Sequence, residues 1–158
     1  EAVKWYRKAA EQGSAKAQFN LGVMYNSGQG VEKDYVEAAK RYRKAADLGH
    51  AQAQSNLGVM YDHGRGVPQN DGEASRWYRE AASRGHARAQ YNLGLMSAYG
   101  RGVSKDYQQA YFWWLLASAS GHSAATRNRA CGKARPAVPM RSAPGRFSVC
   151  TEDPSDRP

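Results

Sequence analysis

Cysteine is nearly absent from this chain: there are two in 158 residues, Cys131 and Cys150, both near the C-terminal end. No disulfide framework can hold residues 1–130 together, so the fold does not depend on an oxidising compartment. Long hydrophobic runs are missing as well. The most apolar stretch, Ala110–Ala119 (AYFWWLLASA), falls well short of the about 20 residues that a bilayer-spanning helix needs. Acidic residues are in deficit, 14 Asp/Glu against 23 Lys/Arg, for a net charge of +9. The excess is uneven: +5 over residues 1–123 (16 against 11) and +4 over residues 124–158 (7 against 3). A basic balance raises nucleic-acid binding, but Lys40, Arg41, Arg43 and Lys44 followed by Asp47 alternate in sign as solvated helix faces do, which argues against it. No H-E-x-x-H, C-x-x-C, G-x-S-x-G or Walker sequence occurs.

What the chain does have is a period. Glu1–Val36, Glu37–Gly72 and Glu73–Gln108 are three copies of one 36-residue unit, the first two identical at 21 of 36 positions. A fourth copy begins at Gln109 and decays after about twenty residues. Self-similarity at this length marks a stacked-repeat architecture. Each repeat then contacts mainly its neighbours, and the chain builds an extended surface in place of a closed pocket.

Within a unit the spacing predicts two helices. The first covers roughly Tyr35–Leu48 in the second copy, with Ala38, Tyr42, Ala45 and Ala46 on one stripe. Asp34-x-x-Glu37, Asn70-x-x-Glu73 and Asp106-x-x-Gln109 each fit a capping box at its start. The same register puts Glu1 inside a helix whose cap is missing, as in a chain cut from a longer protein. Gly13, Gly49, Gly85 and Gly121 suit left-handed caps at the helix end. The second helix is expected at Ala15–Tyr25, Ala51–Tyr61 and Ala87–Ser97, antiparallel to the first because the connection is so short. Gly22, Gly58 and Gly94 lie inside it, where glycine costs about 1 kcal/mol relative to alanine. A costly residue retained in three copies points to close helix–helix approach. Ala110–Ala119 falls in register with the first helices and reads as a core helix.

The pattern A-x-x-[WR]-Y-[RK]-x-A-A-x-x-G-[SH]-A-x-A-Q-x-N-L-G-x-M-Y-x-x-G-x-G-V resembles the Sel1-like repeat, a relative of the tetratricopeptide repeat, from Glu1 to about Asn128. The resemblance implies an all-α, right-handed α/α solenoid of antiparallel helix pairs. It also implies a non-catalytic adaptor that brings other proteins into complexes. Cysteine-rich bacterial members are associated with penicillin binding or β-lactam hydrolysis, which gives the alternative function. Those members have a disulfide in each repeat, and none is possible here.

Three recurring features are candidates for chemistry. His50, His86 and His122 share one register, filled by Ser14 in the first copy. A joint metal site would need nitrogens about 2 Å from one ion, whereas equivalent positions in stacked repeats lie on the order of 8–10 Å apart. They read as polar residues opening the second helix, and His63 stands alone in a loop. Asn20, Asn56 and Asn92 are expected to bond the backbone of an adjacent loop. The G-x-G pairs Gly28/Gly30, Gly64/Gly66 and Gly100/Gly102 follow helices, not strands, so they are turns and not a phosphate cradle. No catalytic, metal or cofactor residue is assigned.

Positions that vary within a fixed register are free to specialise. One register runs Trp5, Arg41, Trp77, Trp113; a second Phe19, Ser55, Tyr91; a third Lys16, Gln52, Arg88. Tryptophan, tyrosine and arginine are enriched among interface hot spots. Trp5, Arg41, Trp77, Phe19, Tyr91 and Arg88 are therefore the candidate contacts to a protein or peptide partner. The first register lies on the helix that lines the concave face in tetratricopeptide-like solenoids. The competing reading has the tryptophans fill the groove between repeats.

The solenoid is expected over residues 1–130, as units 1–36, 37–72, 73–108 and a partial 109–130. Its last helix is expected to fail where Arg129, Gly132 and Lys133 replace the Leu21, Met24 and Tyr25 of the first copy. Five of the six prolines fall in residues 136–158, so 131–158 reads as a disordered basic tail. Such a tail would bind acidic partners, and the abruptness of the break also fits out-of-frame or foreign sequence.

Overall fold

A computed structural model describes residues 2–133. Eight helices follow one another: α1 (Ala2–Glu11), α2 (Ala15–Ser27), α3 (Tyr35–Asp47), α4 (Ala51–His63), α5 (Asp71–Ser83), α6 (Ala87–Tyr99), α7 (Tyr107–Ala119) and α8 (Ser123–Lys133). There is no strand among the described residues. The helices form four antiparallel pairs stacked as an α/α solenoid. Glu1, Cys150 and the segment 134–158, on which the mid-helix start and most of the tail reading fall, lie outside the described residues.

The turn inside each pair is set by one glycine. Gly13, Gly49, Gly85 and Gly121 all have φ near +80°, and the next N–H returns to the helix, as from His50 to the Ala45 carbonyl at 3.0 Å. Leu48 is the helix cap and not its last turn. The second helices run two residues further than expected, to Ser27, His63 and Tyr99, because Gly28, Gly64 and Gly100 are their left-handed caps. His63 is thus the last residue of α4 and not a loop residue.

Only half of each capping box forms. Asp34, Asn70 and Asp106 accept from the amides of Glu37, Glu73 and Gln109, each at 3.0 Å. Their own N–H groups donate to the carbonyls of Tyr25, Tyr61 and Ser97 in the preceding helix. The amide that a box would return to Glu37 is already satisfied, and Glu37 pairs with Arg41 at 2.7 Å instead. This swap ties the start of each repeat to the end of the one before it.

Packing between repeats is a ring laid on a glycine. The Tyr42 ring of α3 covers Gly22 of α2, Tyr78 of α5 covers Gly58 of α4, and Trp114 of α7 covers Gly94 of α6. A Cβ on Gly22 or Gly58 would lie 2.6 or 2.7 Å from the ring. Alanines 38, 45, 53, 74, 81 and 89, all fully buried, let the surrounding backbones approach equally closely. Burial pushes the Tyr42 and Tyr78 hydroxyls above the usual phenol range, and Asp62 adds to the effect at Tyr78.

Repeat four departs from expectation at both helices. α7 is in register, but Phe112 and Leu115 are 51% and 40% exposed, so the apolar run is only partly core. Those registers hold Lys4, Lys40, Arg76 and Arg7, Arg43, Arg79 in the earlier copies. The backbone of α8 stays helical through Arg129 to Lys133, where the lost pattern predicts failure. Ala125 and Asn128 are buried and hold that helix to the stack. Among the described residues no helix is long and apolar enough to cross a membrane.

Candidate functional site

Every second helix from α2 to α6 is latched to its partner by a glutamine. Gln18, Gln54 and Gln90 are buried and donate Nε2 to the carbonyls of Ala10, Ala46 and Ala82 at 3.0–3.1 Å. These last-turn carbonyls also accept from the amides of Gly13, Gly49 and Gly85, so each glutamine fills the second lone pair of a carbonyl at the helix end. The glutamines are visible in the repeated A-x-A-Q. What hides their role is that a buried amide and an exposed one look alike in sequence.

The histidines cap the second helices. Nδ1 of His50, His86 and His122 accepts from the amides of Ala53, Ala89 and Ala125 at 3.3 Å, as Ser14 Oγ does from Ala17. An acceptor nitrogen must be unprotonated. Burial first, with neighbouring Lys16 or Arg88, holds all three below the ordinary 6.5. The unfolded chain therefore takes up protons at higher pH than the folded one. Stability is expected in full above about pH 6.5 and to decline as pH falls below it toward the folded-state values. Denaturation midpoints near pH 7.5 and pH 5.5 check this. The midpoint should be lower in acid, and the drop should shrink when His50, His86 and His122 are replaced by the serine of the first copy.

Two of these histidines also build a surface. His50 stacks on Phe19 and His122 on Tyr91, both with ring centroids 4.6 Å apart. Between the stacks lies a cavity of about 450 Å³ lined by Phe19, Gln52, Asn56, His86–Arg88 and Ser120–His122. Its walls come from all four repeats. Residues three repeats apart meet around one cavity only if the stack curves toward its second helices. Asn56 and Asn92, expected to bond loop backbone, face the hydroxyls of Tyr42 and Tyr78.

The six candidate residues divide between two places. Phe19 and Arg88 line the cavity and Tyr91 forms one of its stacks. The first register lies elsewhere, on α1, α3 and α5, and not on the face toward which the stack curves, where the tetratricopeptide likeness would put it. Trp5 is 69% exposed, Arg41 is half-buried on Glu37, and Trp77 is 5% exposed within the core beside Ala46 and Met60. Trp77 Nε1 and Gln54 Oε1 are both buried without a hydrogen-bond partner, and both residues border a second cavity of about 430 Å³ under Arg76 and Arg84. A third cluster has no signature in the repeat pattern: Arg101 bridges Asp62 of α4 and Asp71 of α5, the latter at 2.8 Å, joining repeats two and three.

Comparison with known proteins agrees with this architecture. The Sel1 repeat matches residues 1–14, 15–50, 51–86 and 87–122, the same 36-residue period cut so that each unit opens on the second helix. The chain is 40% identical to c5321, a protective antigen of uropathogenic Escherichia coli with an SLR fold, at a TM-score of 0.78 over 82% of this chain and 27% of that one. It is 44% identical to a Sel1 repeat protein from Oxalobacter formigenes, at a TM-score of 0.77 over 81% of this chain and 51% of that one. The chain thus spans about a quarter and about half the length of these two bacterial relatives. Helicobacter pylori cysteine rich protein B shares the fold at 24% identity and a TM-score of 0.63, over 79% of this chain and 90% of that one. No curated protein is similar enough to match. Sel1 repeats generally mediate protein–protein interactions. The family model matches 122 of the 158 residues, and the chain belongs to the Sel1 repeat family.

Proposed function

We propose that this chain is a non-catalytic interaction module that holds an extended segment of a partner protein against its second helices. The observation that carries the reading is the cavity to which four consecutive repeats contribute side chains. Its lining offers an aromatic ring, two amides and a guanidinium, the mixture that interface hot spots draw on. The scaffolding role of an adaptor needs a second surface as well. Trp5, exposed on the first helix of the stack, is the candidate for it, with Arg41 in the same register. The β-lactam alternative has no observation in its favour. A likeness at 24% identity carries fold alone, and residues 1–130 contain no cysteine.

Photo-cross-linking in cells tests the reading. A benzophenone side chain at Gln52, exposed on the cavity wall, is expected to give a discrete adduct with a cellular protein. The same group at Arg79, exposed on the first helix of repeat three, should give none. Adducts from position 79 alone, or equal ladders from both, would contradict it.

A further inference from the structure

We infer that the segment held in this groove is acidic, with a carboxylate seated on the guanidinium of Arg88. This rests on the groove being the binding surface and adds the chemistry of what the groove accepts. Charge is sorted between the two kinds of helix.

Of the acidic side chains that lie within helices, all but one are on the first helices, as Glu11, Glu37, Asp47, Asp71, Glu73 and Glu80, while Glu32, Asp34 and Asp106 lie in the segments between repeats. The four second helices carry one acid, Asp62, and it is committed to Arg101. None of the residues lining the cavity is acidic. Arg41 pairs with Glu37, Arg76 with Glu73 and Arg101 with two aspartates, and Arg7 donates to the Tyr25 hydroxyl; Arg65, Arg79 and Arg84 pair with no carboxylate among the described residues, but none of them lines this cavity. Arg88 is exposed on the cavity wall, and no carboxylate pairs with it among the described residues. It lines the cavity together with His86 and His122, and its charge acts on both imidazoles. Lys16, two repeats away in the same register, adds a second cation beside His50.

An arginine in a partly enclosed groove without a counter-charge favours a ligand that brings one, and guanidinium–carboxylate pairs are often bidentate. Gln52 and Asn56 beside it can donate to and accept from an extended backbone. Single-stranded nucleic acid is the rival anion. It is recognised by stacking bases on open aromatic faces along a cationic track. Here Phe19 and Tyr91 each have one face covered by an imidazole, and the cations stand repeats apart.

The test uses the full chain with labelled acetyl-hexaglutamate, hexaglutamine and a six-nucleotide oligothymidylate, read by fluorescence anisotropy at low salt. Hexaglutamate should bind and hexaglutamine should not. Arg88→Glu should weaken hexaglutamate at least tenfold, while Arg79→Glu, the same charge change outside the groove, should leave it within twofold. If Arg88→Glu alters the melting curve, Arg88→Gln takes its place. Equal losses in both variants would show diffuse charge and overturn the inference. So would no hexaglutamate binding, or oligothymidylate binding alone. A cross-link from position 52 to a partner, with no acidic preference in this assay, would leave the groove standing and remove only its acidic ligand.

Discussion

Replacing Gly66 with alanine is expected to destabilise the chain by about 3–5 kcal/mol, enough to unfold much of it at physiological temperature. Two costs add at this position. Gly66 has φ +69°, a region that L side chains rarely adopt. A Cβ there would also land on the Tyr35 carbonyl and 2.8 Å from the Val36 amide. That backbone opens α3, and it cannot yield. Asp34 caps it through the amides of Val36 and Glu37, and the Asp34 N–H is itself fastened to Tyr25 at 2.9 Å. Gly85 separates the two costs. It has φ +80°, and a Cβ there would meet nothing within 4 Å, so Gly85→Ala carries strain alone, about 1–2 kcal/mol. Denaturation midpoints of the two variants give the comparison. Equal losses would mean that the loop does not press on the helix start.

The tryptophans of one register should behave as unlike residues. Trp77→Ala is expected to cost about 3–5 kcal/mol, because the indole is buried against α3 and α4. Trp5→Ala should stay within about 0.5 kcal/mol, since that side chain is 69% exposed. Trp77→Phe should cost less than the alanine variant, because it keeps most of the ring and removes an indole N–H that is buried without an acceptor. If Trp5 serves a second partner, Trp5→Ala loses that partner with the fold intact. A large loss of stability at Trp5, or a negligible one at Trp77, would contradict the assignment of these two environments.

That divergence marks where sequence stops being informative. The period exposes the helices, the glycine caps and the close approach at Gly22, Gly58 and Gly94, because each is a backbone demand that only certain residues meet. It does not expose that Trp77 is buried against the helices of the preceding repeat while Trp5 is exposed. Register describes a unit, whereas burial depends on neighbours. The capping boxes are legible for the half that reads forward to Glu37. The other half, satisfied by Tyr25 of the preceding helix, is a tertiary contact with no local signature. The fourth repeat misleads in the opposite direction. Loss of Leu, Met and Tyr at three registers removes core side chains, yet α8 continues, with Ala125 and Asn128 buried in the stack. The groove is legible only in part. Phe19, Tyr91 and Arg88 stand out as variable positions, but the curvature that brings them together with Gln52 and His122 does not appear in any one repeat.

The central claim is that the second helices form the partner-binding wall, and a crystal structure of the chain bound to the partner segment captured from position 52 tests it most directly. The segment should lie across α2, α4 and α6, in contact with Phe19, Asn56 and Arg88, with the first helices facing solvent. A segment lying along the outer faces of α3 and α5, around Lys40 and Arg79, with the groove empty, would contradict the account.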